Sequence, residues 1–331
     1  MFALLTSTRF PVKWPALRII AGIAEIVADL AEVEGCDIVQ NDSMGNPPLM
    51  WAAGNGHEEV VKALLGRRDI DPDKLGEHGQ TPLFWAACYG HEGVVKMLLG
   101  RDDVNPNKLD RCGQTPIVLA ARNGHEGVVK MLLERDDVNP NGPEEGGPTP
   151  LGCAACNEHE GVVKILLERD DVDPDKPDQD GRTPLWWAAA AGHERLVKLL
   201  LGQGVVNPDR PNKDGRTPLW CAACSGRAGV VRLLLGREDV NPNKPDNYGR
   251  TPLWWANEHG DREVIALLLQ PSTSATHGMA KPEEAPSSLP PPNTILIAYA
   301  PFPRGPQHLH KRACHHHYLP PLTPVQPPPP A

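Results

Sequence analysis

A Thr-Pro dipeptide recurs at Thr81-Pro82, Thr115-Pro116, Thr149-Pro150, Thr183-Pro184, Thr217-Pro218 and Thr251-Pro252, every step being 34 residues. One more step back lands on Pro47-Pro48. The same register carries Ala86-Ala87, Gly90-His91, Val94-Val95 and Leu98-Leu99 from unit to unit. Such self-similarity marks a stack of supersecondary units, none of which can bury its apolar face alone. The 37 prolines and 31 glycines among 331 residues would break any long helix, and the register turns most of them into punctuation between short ones.

Each unit reads from elementary rules. Proline at the first helical position loses no needed N–H, and the threonine before it can cap the turn. In the unit at Thr81, a first helix over Pro82 to Tyr89 places Leu83, Ala86 and Ala87 on one face, and Gly90 stops it. A second helix over His91 to Leu99 sets Val94, Val95, Leu98 and Leu99 on an apolar stripe. Asn105-Pro106 then forces extended backbone, and Asp110, Cys112 and Gly113 supply turn chemistry. The unit is helix, tight turn, helix, protruding hairpin-like loop. Seven such repeats start at 47, 81, 115, 149, 183, 217 and 251 and end at 270. Gly22, Ile26-Val27 and Gly45 keep the phase, so 13–46 reads as a degenerate N-terminal capping repeat behind an extension over 1–12.

These units resemble ankyrin repeats, whose signature Thr-Pro-Leu-His-x-Ala matches Thr81-Pro82-Leu83-Phe84-Trp85-Ala86 except at the histidine. The resemblance covers roughly 13–270. It implies an all-α, right-handed ankyrin-repeat solenoid acting as a non-catalytic scaffold or adaptor that binds a protein partner on its concave face, through inner helices and hairpin tips. The period of 34 departs from the family's usual 33 through the connector Gly100 to Asp110, and a left-handed glycine after the second helix is absent from most units, Gly204 being the candidate exception. The Asp-Val-Asn-Pro connectors and paired tryptophans look like fungal arrays that form the sensor half of NOD-like receptors. That likeness supplies a second reading, a receptor fragment.

Residues 271–331 hold sixteen prolines and no helical or strand period, and read as a disordered Pro/His-rich tail. Its His308, His310, Cys314, His315, His316 and His317 are weak metal candidates, and Pro321-x-x-Pro324 lacks a suitably spaced basic neighbour for SH3 recognition. A third reading makes metal or polyproline-type recognition by this tail the main activity. The net charge of −9 disfavours nucleic acid. The apolar run Ala16 to Leu30 is broken by Arg18, Glu25 and Asp29, which argues against a membrane span.

Several constellations read as structural. Cys153-x-x-Cys156 and Cys221-x-x-Cys224 stand two units apart, about 20 Å at ordinary helix spacing, too far for one zinc. Cys153 and Cys221 also share a slot with Trp85, Trp187 and Trp255, so they read as buried thiols suited to the cytoplasm or nucleus. His57, His91, His125, His159 and His193 occupy one repeat slot, and acidic pairs such as Asp102-Asp103 recur in successive connectors, whereas a catalytic pair is needed once. No catalytic or cofactor motif occurs, and a monomeric, cofactor-free, non-enzymatic chain is expected.

Positions that vary between repeats while staying outside the core are free to recognise a partner. At the hairpin tips these are Glu77, His78, Arg111, Gln179, Lys213 and Tyr248, and at first-helix ends Tyr89, Arg122 and Asn123. Trp186, Trp220 and Trp254 form a ladder in the slot of the family's histidine, where packing between repeats competes with partner contact. Arg182, Arg216 and Arg250 precede Thr-Pro beside that ladder. The expected C-terminal half is aromatic and basic, suited to carboxylate-rich or planar groups.

Overall fold

The computed structural model describes residues 41, 45–76, 78–142 and 149–270. Most of the degenerate repeat, the tip residue Glu77 and the tail with its His/Cys cluster lie outside the described residues. Fourteen helices and no strands occur among the described residues. They come in pairs: α1 Pro48–Gly54 and α2 Glu58–Leu65, α3 Pro82–Tyr89 and α4 Glu92–Leu99, α5 Pro116–Asn123 and α6 Glu126–Leu133, α7 Pro150–Cys156 and α8 Glu160–Leu167. The series continues with α9 Pro184–Ala191 and α10 Glu194–Leu201, α11 Pro218–Cys224 and α12 Ala228–Leu235, α13 Pro252–His259 and α14 Arg262–Leu268.

The Thr-Pro rule holds in detail. Thr81 accepts a hydrogen bond from Phe84 N at 3.1 Å, and Thr149, Thr183, Thr217 and Thr251 cap their helices in the same way. Thr115 does not, and its buried hydroxyl oxygen has no partner. At the other end Gly90 takes φ +76, a left-handed conformation that a side chain resists. The second helix starts one residue later than the stripe suggests, because His91 has ψ 79 and stands outside it as N-cap. That placement frees the imidazole to reach the preceding repeat, where its Nε2 lies 3.0 Å from Gly54 O. His125, His159 and His193 make the same contact with Cys88 O, Arg122 O and Cys156 O.

First helices stack on first helices and second on second along the whole series. Leu83, Ala86 and Ala87, with Val94, Val95 and Leu98, are fully buried, as are their equivalents in neighbouring units. A buried connector valine at 104, 138, 172, 206 and 240 closes each layer. The outer edge is tied by arginine. Arg135 donates from Nε and Nη2 to Asp137 at 2.8 and 2.7 Å, while its Nη1 reaches Leu99 O of the preceding repeat at 3.1 Å. Arg101 and Arg169 repeat this clasp on Leu65 O and Leu133 O. The second aspartate of the recurring acidic pair is thus an arginine partner. After the second helix, Gly100 has φ −72 and is ordinary helical backbone, whereas Gly204 is left-handed at φ +68.

Candidate partner-binding face

Hairpins and first helices are held together by one device. Asp178 opens a hairpin, and its Oδ1 accepts from Asp180 N and Arg182 N, both at 2.9 Å. Its Oδ2 accepts from Arg182 Nε at 2.9 Å and from Trp187 Nε1 at 3.2 Å. Asp246 does the same for Tyr248 N, Arg250 N and Arg250 Nε. Successive hairpins are bonded to each other, Arg111 N to His78 O, Lys213 N to Asp180 O and Asn247 N to Asp214 O. The tips are therefore fixed before any partner arrives.

Of the expected contact residues, Tyr89, Arg111, Asn123, Gln179, Lys213, Tyr248 and Trp254 are exposed, and His78, Arg122, Arg182 and Arg250 are half-buried. The structure seats Trp186 and Trp220 between repeats at 5% and 2% exposure, and Arg216 is 7% exposed. Of the two roles open to the ladder, packing between repeats is the one these two indoles take, in a cluster with Cys221. Trp220 packs edge-on against Trp255 at 5.4 Å and donates its Nε1–H to Arg250 O at 3.2 Å. Trp254, in the last described repeat, is 43% exposed.

The arginines stack over this aromatic layer rather than projecting from it. Arg182 lies 4.5 Å from the Trp187 ring centre, Arg216 4.7 Å from Trp220, and Arg250 4.8 Å from both Tyr248 and Trp255. In the N-terminal half Trp85 stacks on Tyr89 at 5.6 Å, Arg122 donates to Gln114 Oε1 at 2.7 Å, and Asn123 donates to Cys88 O at 2.9 Å. The half-buried Trp85, Trp187 and Trp255 belong to this face and were visible in the sequence only as a packing slot. The hairpin aspartates were legible as turn chemistry at Asp110, but their arginine partners were missed; the signal is the four-residue spacing of Asp178 to Arg182 and Asp246 to Arg250.

Burial pushes the Cys156 and Cys224 thiols up to about 12 and about 11, and raises Cys153 and Cys221 too. Neutral thiols are poor nucleophiles and poor metal ligands. Among the described residues no cluster of His, Cys, Asp or Glu has the makings of a metal site, and no helix is long and apolar enough to cross a membrane.

Comparison with known proteins agrees with this architecture. The family model described as "Ankyrin repeats (3 copies)" matches residues 17–110, 102–178, 170–246 and 206–278. The chain is similar to the crystal structure of the human ASB11 ankyrin repeat domain, with 25% identity and a TM-score of 0.61 over 68% of this chain and 99% of that one. It is also similar to the ankyrin repeat domain of Bcl-3, a member of the IkappaB family, with 29% identity and a TM-score of 0.56 over 68% and 98% of the two chains. No curated protein sequence matches it. Capped helix pairs, left-handed first-helix ends and interlocked hairpins, together with these matches, place the chain in the ankyrin repeat family, whose repeats mediate protein–protein interaction.

Proposed function

We propose that the chain is a non-catalytic scaffold that binds one protein partner across its hairpin tips and first-helix ends, the concave side of an ankyrin stack. The observation that supports this is a division of labour within each repeat. Repeated positions are buried, while the residues that differ, Tyr89, Arg111, Asn123, Gln179, Lys213 and Tyr248, are exposed along one side on a bonded frame. A frame already ordered loses little entropy on binding, so a few aromatic and arginine anchors suffice for affinity. On this reading the chain works as a monomer in the cytoplasm or nucleus, where its buried neutral thiols suit a reducing environment.

The test is capture of a partner by the immobilised chain, followed by two sets of substitutions. Tyr89→Ala, Arg111→Ala and Asn123→Ala together should abolish capture while the helical circular dichroism persists. Lys96→Ala, Lys130→Ala and Lys164→Ala, on the second helices, should leave capture intact. The reverse pattern would place the interface on the outer side and sink the proposal.

A further inference from the structure

Repeat symmetry allows each arginine of the aromatic half to be compared with its own equivalents. Arg182 and Arg250 are each neutralised within their hairpin: Arg182 Nε donates to Asp178 Oδ2 at 2.9 Å, and Arg250 Nε and Nη2 contact Asp246 Oδ2 at 3.1 and 3.0 Å. At the middle repeat the carboxylate is replaced by the amide of Asn212. Asn212 Oδ1 is spent on Asp214 N and Arg216 N at 3.0 and 2.9 Å. The amide has no second oxygen to offer, and Arg216 Nε is buried without a partner.

Two more donors, in the repeats on either side, are unanswered. Trp186 Nε1 and Trp255 Nε1 are buried without a partner, and both indoles belong to the aromatic cluster that surrounds Trp220. Their equivalents elsewhere are satisfied, Trp220 Nε1 by Arg250 O and Trp187 Nε1 by Asp178 Oδ2, each at 3.2 Å. The Arg216 guanidinium is thus stacked on an aromatic cluster that holds two further uncancelled N–H dipoles. Among the described residues the only carboxylate paired with Arg216 is Asp214, whose Oδ2 stands 3.5 Å from Nη1 and whose side chain is half exposed. That end of the guanidinium reaches the surface, while the Nε behind it is buried and unanswered, so part of the cation's charge is left uncancelled.

We propose that Arg216 is a receptor for a carboxylate of the partner, an acidic side chain that supplies to this repeat what Asp178 and Asp246 supply to its neighbours. The inference rests on the protein-binding reading above and names the partner's chemistry: an acidic segment, laid along the hairpins with one Asp or Glu at the Arg216 edge. Two exchanges set this guanidinium apart from its equivalents: Asn212 stands in place of the aspartate, and with Cys221 in the slot of Trp187 and Trp255 the arginine stacks on Trp220 at 4.7 Å, where Arg182 and Arg250 lie 5.8 and 5.7 Å from the corresponding Trp186 and Trp254.

The full chain, labelled with nitrogen-15, is titrated at constant ionic strength with a glutamate-rich peptide, with acetate and with inorganic phosphate, while the arginine Nε–Hε resonances are followed. The peptide should shift Arg216 saturably, acetate should move the same resonance at higher concentration, and Arg182 and Arg250 should stay in place. Asn212→Asp, which restores the neighbours' arrangement, should raise Tm and weaken the peptide at least about tenfold, as loss of a buried charge partner does. Arg216→Gln should weaken it to the same degree without the rise in Tm. The proposal falls if Arg216 moves no further than Arg182 and Arg250, if phosphate saturates more tightly than acetate, or if Asn212→Asp leaves peptide affinity unchanged. Failure of the two readings is distinguishable. A captured partner held equally by wild type and Asn212→Asp overturns the receptor alone, and a saturable Arg216 shift in a chain that captures no partner overturns the scaffold alone.

Discussion

Gly90→Ala tests whether the joints between repeats depend on glycine for shape or only for torsion. Gly90 sits at φ +76, and a Cβ placed there would fall 2.6 Å from His125 Nδ1 of the next repeat, well inside contact distance. Holding alanine in the left-handed region costs about 1–2 kcal/mol. Displacing the His125 ring breaks its 3.0 Å bond to Cys88 O, a further loss of about 0.5–1.5 kcal/mol. The lower unfolded-state entropy of alanine offsets about 0.4–1 kcal/mol. The net expectation is a destabilisation of about 2 kcal/mol, or about 4–8 °C in Tm for an array of this size. Gly113 supplies the control, with φ +70 and open space around its would-be Cβ. Gly113→Ala carries the torsional cost alone and should lose about 1 kcal/mol or less. Urea denaturation of both variants, repeated for Gly90→Ala in a His125→Ala background, closes the cycle. In that background the cost of Gly90→Ala should drop to that of Gly113→Ala. Equal costs for Gly90→Ala with and without His125 would refute the idea that this glycine exists to admit the histidine.

Three further outcomes follow from the geometry. Trp220→Ala should cost about 3–5 kcal/mol of stability, whereas Trp254→Ala should leave Tm within a few degrees; comparable melting of the two would contradict their burial. Gln203→Arg with Val205→Asp, keeping the left-handed Gly204, should supply the missing clasp to Leu167 O and stabilise the chain by about 1 kcal/mol, read as a rise in Tm. Iodoacetamide at pH 8 should label the exposed Cys112 and spare Cys156 and Cys224, whose thiols are held neutral up to about 12 and about 11. For these two the folded pKa exceeds the unfolded one, so the fold binds more protons. Their contribution is intact below pH 9.0, the ordinary thiol value, and declines as pH rises towards about 11 and 12. Equal labelling of the three cysteines by mass spectrometry would refute the burial argument.

First helices were legible because their starts are written in side-chain and ring chemistry: Thr81 caps, Pro82 fixes φ, and both act on their own backbone. The second helix was placed one residue early because the His91 dihedral answers to a bond 37 residues back, at Gly54 O. The arginine clasps escaped for the same reason. Arg135 is aimed at a backbone carbonyl of Leu99, and a carbonyl has no letter in the sequence. The tryptophan ladder was legible as a ladder, but its burial depends on whether a following repeat covers each step, which separates Trp220 from Trp254. The open Arg216 was written in the sequence as a single Asn among hairpin aspartates, and it acquired meaning only once the carboxylates of Asp178 and Asp246 were seen to have arginine partners.

The joints along the stack are of two kinds, and this bears on how binding can be measured. Through Arg169 the outer edge is clasped by arginines that cross to the preceding repeat. At 203 glutamine takes that slot and turns to its own helix at Leu199 O, and at 227 arginine replaces the histidine of the earlier joints. From residue 183 onward the buried tryptophans of the first helices add to the cohesion, alongside the histidine contacts of His193 and His259 with the preceding repeats. In the C-terminal half the side proposed to face a partner is thus also a side that holds the repeats together. Substitutions at Trp186 or Trp220 will lower binding and stability at once. Arg111 and Lys213 are exposed at the hairpin tips, so their loss reports on binding with little change in Tm, and they are the positions at which the scaffold reading is most sharply tested.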